Sequence, residues 1–216
     1  MQLPPSELGA FFGAIDIYLF DQLLKGRFQP GMRLLDAGCG SGRNLPYFLR
    51  HGFDVCAVDE LEVAVEKVRA LAHRLAPELP ASNFRAEALE RMSFPDGHFD
   101  AVIASAVLHF ARDDDHFDAM VAGLWRVLRP GGFFFARLAS SIGLEERVQP
   151  LGQGRFHLPD GSDRYLVDEV RLAALEASMG AVAAEPLKTV DVEHERCMTT
   201  WCLLKPEAFD PGGAAS

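Results

Sequence analysis

The sequence predicts a three-layer α/β fold, in which a mostly parallel sheet lies between two layers of helices. Short apolar runs alternate with amphipathic segments over residues 33–137, which is the pattern of parallel strands joined by crossover helices. A turn with three alternating glycines, Gly38, Gly40 and Gly42, directly follows the first apolar run. The chain has 216 residues, 49% of them hydrophobic and 24% charged, which is enough to bury one full core. We therefore expect a single domain.

The elements follow from local patterns, taken in chain order. The predicted strands occupy residues 33–37, 54–58, 83–86, 100–104 and 133–137. The predicted helices occupy residues 43–51, 61–74, 117–128 and 167–179. Gly52 and Gly180 end the first and the last of these helices, because glycine readily adopts the left-handed conformation that closes a helix. The Pro130-Gly131-Gly132 segment predicts a turn before the fifth strand.

The two ends of the chain and one internal segment depart from this alternation. Residues 8–24 predict an aromatic-rich helix, and residues 182–190 and 198–205 predict an antiparallel hairpin at the sheet edge. The segment after the fifth strand is rich in Gly, Ser and Pro and predicts a loop whose length suits a functional or mobile role. The expected organisation is a helical cap at 1–30, a main domain at 31–206 with a variable loop or lid at 138–162, and a flexible tail at 207–216.

Composition excludes several classes of partner. The formal net charge is −10 and no basic cluster interrupts it, which argues against binding to nucleic acid or to an anionic membrane. No apolar run reaches the ~20 residues that span a bilayer, and no export signal opens the sequence, so a cytoplasmic location is expected. The four cysteines lack metal-ligand spacing, so we expect reduced thiols and no metal. A small-molecule partner is the remaining expectation.

The charge beside the glycine turn indicates what kind of ligand it suits. Glycines between a strand and a helix let a ligand approach the backbone closely. The dinucleotide fingerprint needs a third glycine where Arg43 stands. Asp36 would repel a pyrophosphate but attract an ammonium or sulfonium group. Asp59 ends the next strand, where a carboxylate can accept hydrogen bonds from a ribose diol. The turn therefore favours a nucleoside with a cationic tail.

These residues resemble the class I S-adenosylmethionine-dependent methyltransferases. The resemblance rests on residues 34–44, on Val58-Asp59, on residues 94–100 before the fourth strand and on residues 127–132 before the fifth. It covers roughly residues 33–137. A narrower likeness, carried by Gly42-Arg43-Asn44 and residues 198–201, is to the bacterial small-molecule group that includes tellurite-resistance methyltransferases.

The resemblance implies a Rossmann-like fold with a seven-strand, mostly parallel sheet into which the last hairpin inserts one antiparallel strand near the edge. It also implies S-adenosylmethionine as the cofactor and methyl transfer to a small molecule as the activity. The cofactor residues it implies are Asp36, Gly38 and Gly40 for the methionine part, Asp59 for the ribose, Glu87, Ala88 or Leu89 for the adenine, and Ser105, whose carbonyl would accept from the ammonium group.

The acceptor side is less defined by the sequence. His109 lies where the family places residues beside the methyl group, although a lone histidine there can simply be packed. Arg137 ends the fifth strand and must find a partner at the sheet's carboxyl edge, which suits contact with an anionic acceptor. We expect the 138–162 lid, with His157, and the N-terminal helix around Tyr18 to cover this region. A cofactor-binding protein without transferase activity and a dehydrogenase are the alternatives.

Overall fold

A computed structural model describes residues 7–207, so the first part of the expected helical cap and the tail beyond residue 207 lie outside the described residues. The strands of the central sheet are β1 (Arg33–Ala37), β2 (Asp54–Asp59), β3 (Phe84–Ala86), β4 (Phe99–Ser105), β5 (Leu128–Ser140), β9 (Val182–Ala183), β10 (Lys188–Val192) and β11 (Arg196–Leu204). They lie in the order β10-β11-β5-β4-β1-β2-β3, and the two-residue strand β9 pairs with β11. β1 to β5 are mutually parallel, and β11 is antiparallel to both neighbours. The predicted fold class is confirmed.

The helices cover both faces of this sheet. They are α1 (Leu8–Phe12), α2 (Ile17–Leu24), α3 (Pro46–Arg50), α4 (Glu62–Leu75), α5 (Asp114–Val127) and α6 (Glu169–Met179). Consecutive residues of a strand point to opposite faces. On β5, Phe134 accordingly joins a core with α5 and α6, whereas Phe135 joins a second core with α3 and α4. The sheet is thus buried on both faces.

The N-terminal helix differs from its prediction. Residues 8–24 form two helices rather than one, because Gly13 adopts a φ of 71° and Asp16 begins the second helix. The Asp16 carboxylate accepts a hydrogen bond from the Tyr18 backbone N–H, 3.0 Å away, as an N-cap residue does.

The first crossover helix is shorter than predicted, and the first strand of the last hairpin is interrupted. α3 begins only at Pro46, because residues 40–44 still belong to the glycine turn. Residues 182–190 are broken between β9 and β10 at Pro186, which has no N–H to donate to a ladder.

The largest correction concerns residues 138–162, which do not form one continuous loop, because strands occupy parts of this range. β5 continues to Ser140, and the chain then forms a separate antiparallel sheet of β6 (Gln149–Gly152), β7 (Arg155–His157) and β8 (Asp163–Tyr165). Gln153 and Gly154, with φ of 52° and 75°, make the two-residue turn that fits a right-twisted hairpin. Leu158 and Leu166 pack on Ala139 of β5 as a small core. We call β6, β7 and β8 the cover sheet.

None of the helices within residues 7–207 is long and apolar enough to cross a membrane.

Candidate functional site

The glycine turn after β1 lies against the segment that follows β4. A Cβ placed on Gly38, whose φ is 70°, would lie 2.3 Å from Cγ2 of Val107, so no larger residue fits there. A Cβ on Gly40, whose φ is 51°, would meet no atom within 4 Å, so this backbone faces open space. The turn is therefore packed on one side and open on the other.

Asp36 lies beneath this turn with an unusual environment. Its side chain is 1% exposed, and its Oδ2 has no hydrogen-bond partner among the described residues. Burial raises the pKa of the Asp36 carboxyl to about 7, with the Asp59 charge adding to the rise and the Arg43 guanidinium opposing it. Because a buried acceptor without a partner is costly, the geometry suits a cationic or donating ligand group at this point.

Asp59, at the end of β2, is held at the rim by backbone amides. Its two carboxylate oxygens accept hydrogen bonds from the N–H groups of Gly40, at 2.9 Å, and Leu61, at 3.0 Å. Each oxygen keeps a second lone pair for a ligand. The glycine turn therefore orients the Asp59 carboxylate directly, through the Gly40 amide.

A cavity of about 610 Å³ opens beside these groups, and we call it the cofactor cavity. It lies at the carboxyl edge of the parallel strands, where ligands of open α/β sheets bind. Of the residues predicted for the cofactor, those lining it are Gly38, Gly40, Asp59, Glu87 and Leu89. Asp36 and Ser105 are buried and do not line it, although in the chain each precedes a lining residue by one or two positions, and Ala88 is half-buried between two lining residues.

The Glu87 carboxylate is already engaged. Its Oε2 accepts from the Ser93 backbone N–H at 2.8 Å and its Oε1 from the Ser93 hydroxyl at 2.5 Å. The side chain therefore stabilises the turn that follows β3, and its assignment to an adenine amino group stays a prediction. The alternative carried by the backbone of Ala88 or Leu89 remains open.

A buried ionic network that the sequence did not reveal joins the N-terminal helices to the site. The fully buried Asp16 carboxylate pairs with Nη1 of Arg137 at 2.6 Å and lies 3.6 Å from Nη2 of Arg43. The same Arg43 nitrogen donates to the Ser105 hydroxyl at 3.1 Å, and the Arg137 guanidinium lies 5.0 Å from the Tyr18 ring centroid. An N-cap signal could have found Asp16 as a helix start, but not its partners.

A second, smaller cavity of about 280 Å³ adjoins the first, and we call it the acceptor cavity. Ala106, directly after β4, lines both cavities and has a φ of 63°, a strained conformation for a residue other than glycine. His109 and Arg137, the two residues predicted for the acceptor, also line it. His157 does not: it lines a neighbouring cavity on the cover sheet, which shares Leu158 with the acceptor cavity, and it pairs with Asp163.

One group of potential metal ligands also borders the cofactor cavity. Glu60, Glu90 and His116 place ligand atoms within 4.8 Å of one another. However, Nδ1 of His116 accepts the Arg112 backbone N–H at 3.1 Å, so Nε2, which faces Glu90, carries the proton of the neutral ring. A protonated nitrogen is not a metal ligand, and this group is better described as a donor beside a carboxylate.

The fold and the site together define a class: a Rossmann-like α/β protein with a carboxyl group buried under a glycine turn at the sheet's carboxyl edge. Residues 35–136 match the family described as a methyltransferase domain. Over these residues the chain is similar to the class I S-adenosylmethionine-dependent methyltransferases. The narrower likeness to the tellurite-resistance group stays a prediction.

Individual relatives agree with this family. The ubiquinone biosynthesis O-methyltransferase of Methylocella silvestris is 34% identical over 122 residues, 53% of this chain and 44% of that protein. The 27-O-demethylrifamycin SV methyltransferase of Amycolatopsis mediterranei is 31% identical over 174 residues, 77% of this chain and 58% of that protein. The chain thus spans about half the length of these curated relatives.

A solved structure is similar over nearly the whole chain. The 1,6-didemethyltoxoflavin-N1-methyltransferase of Burkholderia thailandensis, with bound 1,6-didemethyltoxoflavin and S-adenosylhomocysteine, matches at a TM-score of 0.67. The identity is 20%, and the match covers 94% of this chain and 82% of that chain. At this identity the likeness supports the fold.

Proposed function

We propose that the protein transfers the methyl group of S-adenosylmethionine to a small-molecule acceptor and releases S-adenosylhomocysteine. The observation that carries the proposal is the orphaned Oδ2 of Asp36, buried beneath an open glycine turn whose Gly40 amide also holds Asp59 at the rim. These carboxylate acceptors fit a nucleoside with a cationic tail and do not fit a pyrophosphate. The similarity to the methyltransferase family supports the same conclusion.

In this proposal each cavity has its own reactant. Asp36, Gly38 and Gly40, with the Ser105 carbonyl, would hold the amino-acid end of the cofactor, and Asp59 would accept from its ribose hydroxyls. Glu87, Ala88 or Leu89 would border the adenine. The acceptor would enter the acceptor cavity, where His109 and Arg137 position it. The partner is a small molecule; the absence of nucleic-acid and membrane partners and a cytoplasmic location remain part of the proposal.

The chain's contribution to the chemistry is mainly positional. When bound, the cofactor supplies an electrophilic methyl group on a sulfonium. The protein brings the two reactants together at Ala106, and near-attack geometry can supply much of the acceleration of a displacement. Arg164 of β8, with Leu158, Asp160 and Ser162 between β7 and β8, contributes to the lining of the acceptor cavity and would help to keep water from the reacting groups.

A transfer assay tests the proposal. The purified chain is incubated with S-adenosylmethionine labelled in the methyl group and with a panel of acids, phenols, thiols and amines. We expect label in a small organic product together with stoichiometric S-adenosylhomocysteine. Tight cofactor binding without transfer to any acceptor would instead favour the alternative of a binding protein without transferase activity.

A further inference from the structure

The acceptor cavity is lined by an unusual number of charged groups for its size. Three guanidinium groups, those of Arg137, Arg164 and Arg196, line it together with a single carboxylate, that of Asp160. Its volume of about 280 Å³ is at the lower end of ligand sites, so it suits a small acceptor or the reactive end of a larger one. The balance among these four charges decides which acceptor the cavity can hold.

Two of the three cations have carboxylate partners within the protein. Arg137 pairs with the buried Asp16 at 2.6 Å, and Arg196 lies 4.0 Å from Asp160. Arg137 nevertheless keeps a buried Nε–H without a hydrogen-bond partner among the described residues. An unused donor therefore belongs to a residue that lines the acceptor cavity.

Arg164 has no such partner. Within residues 7–207 it makes no ion pair; its Nη1 donates to the backbone carbonyl of Asp163 at 2.8 Å, and its guanidinium lies 5.1 Å from the Phe110 ring centroid. These contacts fix its direction without neutralising its charge. The acceptor cavity therefore has a positive charge that an anionic ligand would complement.

Among the described residues that line this cavity, the two groups that could accept a proton, His109 and Asp160, already accept hydrogen bonds within the protein. Nδ1 of His109 accepts the Ala139 backbone N–H at 3.4 Å, so the other ring nitrogen carries the proton and the imidazole is a donor. Burial, with the Arg164 charge, lowers the pKa of His109 to about 4.

The Asp160 carboxylate is not a suitable base either. Burial acts to raise the pKa of Asp160, but hydrogen bonds from Ser162 and the Arg196 and Arg164 charges outweigh burial and leave it below its ordinary value. Alcohols, phenols and protonated amines need a base to become nucleophiles, whereas carboxylates are ionised at neutral pH.

We infer that the methyl acceptor is a small organic acid whose carboxylate oxygen is itself the nucleophile, with Arg164 as its main charge partner, so that the product is a methyl ester. The inference rests on the proposed function, which supplies the methyl donor. One carboxylate oxygen forms the new O–CH3 bond while the S–CH3 bond breaks and its electron pair stays on sulfur. The negative charge of the acid and the positive charge of the sulfonium cancel, and no proton is released. The Nε–H of Arg137 and the ring N–H of His109 orient the acid.

The test uses two measurements on the full chain. In the first, benzoate, phenylacetate and succinate, with their amides as neutral counterparts, are titrated into protein saturated with S-adenosylhomocysteine. We expect the acids to bind and the amides not to, and Arg164→Gln to weaken acid binding about tenfold while the affinity for S-adenosylhomocysteine stays unchanged. Arg147→Gln is the matched control, because Arg147 is exposed and lines neither the acceptor cavity nor the cofactor cavity, so its replacement should leave both affinities unaltered.

In the second measurement, methyl-labelled S-adenosylmethionine is supplied with carboxylic acids, phenols and amines in weak buffer with a pH indicator. We expect label in the acids, released as methanol by mild alkali, and no acidification during turnover. Alkali-stable label in a phenol or amine, with one proton released per methyl group, would overturn the inference and leave the proposed function standing. So would failure of every acid in the panel both to bind and to react. Failure of S-adenosylhomocysteine to bind at all would overturn the proposed function itself.

Discussion

Asp36 is the residue at which folding and ligand binding compete most directly. Its carboxyl is buried and its folded-state pKa is raised to about 7 from 3.8. Between these two values the unfolded chain has released the proton and the folded chain has kept it. The free energy of unfolding therefore falls as pH rises through this window, by about 1.4 kcal/mol for each unit between the two pKa values, and levels off above it. In the ligand-free protein, the buried Asp36 carboxyl therefore lowers the free energy of unfolding at neutral pH.

The first prediction follows from this linkage. Asp36→Asn has nearly the same shape and no titration, so the variant should lose less stability than the parent between pH 5 and pH 8. It should also bind S-adenosylhomocysteine more weakly, and its affinity should lose the parent's rise between pH 6 and pH 8. Urea unfolding at pH 5 and pH 8 measures the change in stability, and calorimetry at pH 6 and pH 8 measures the change in affinity. Equal pH dependence in parent and variant would mean that Asp36 is ionised throughout.

The second prediction concerns Asp59. Asp59→Ala should weaken S-adenosylhomocysteine binding by about 1.5–3 kcal/mol, because it removes charge-assisted hydrogen bonds to the ribose, and Asp59→Asn should do less harm. Calorimetry on the folded variants measures this. Glu60→Gln is the discriminating variant: if it weakens binding while Asp59→Ala does not, the ribose site belongs to Glu60.

At the scale of elements, the cover sheet is the part whose role can be separated from cofactor binding. Leu158 is 2% exposed in the small core between β5 and this sheet, and it also lines the acceptor cavity. The cofactor cavity is lined by segments that follow β1 to β4 and by α5. β8 does contact this lining, since the Arg164 guanidinium lies 5.1 Å from the Phe110 ring centroid. We expect loosening of the cover sheet to affect the acceptor cavity more than the glycine turn.

The third prediction uses this separation. Leu158→Ala leaves a cavity in the small core and should cost about 2–4 kcal/mol of local stability, with faster amide exchange in β7 and β8. Methyl transfer should fall while S-adenosylhomocysteine affinity is retained. Leu175→Ala, a buried truncation on α6, is the control, because it should lower global stability without a selective loss of transfer. An equal loss in both variants would show that the cover sheet has no role of its own.

At the scale of the whole molecule, a ligand that binds only the folded chain should stabilise all layers together, because the sheet is buried on both faces. The fourth prediction is that S-adenosylhomocysteine at about 100 times its Kd stabilises the fold by about 2.7 kcal/mol and raises the Tm by several degrees. NAD at the same concentration should not, because Asp36 disfavours a pyrophosphate. Scanning calorimetry decides this, and a larger shift with NAD would refute the charge argument.

The parts of the molecule that the sequence predicts well are those with a local cause. β1 has the predicted bounds, and β2 and β4 lie within a residue of theirs, because a strand buried on both faces is a continuous apolar run in the sequence. The cover sheet escaped prediction because its strands have only three or four residues and their pairing depends on the Gln153-Gly154 turn. Such short strands show no periodicity.

By itself the sequence determined the alternation of strands and helices over residues 33–137, the glycine turn, and the placement of Asp36 and Asp59 beside it, since parallel strands end at one edge of the sheet. Only the tertiary structure decided which charges remain available there. Asp16 neutralises Arg137 across 121 residues of sequence, Ser93 occupies Glu87, and Ala139 occupies Nδ1 of His109. The physical reason is that strand and turn signals are carried by neighbouring residues, whereas the pairing of a buried charge depends on packing between distant segments.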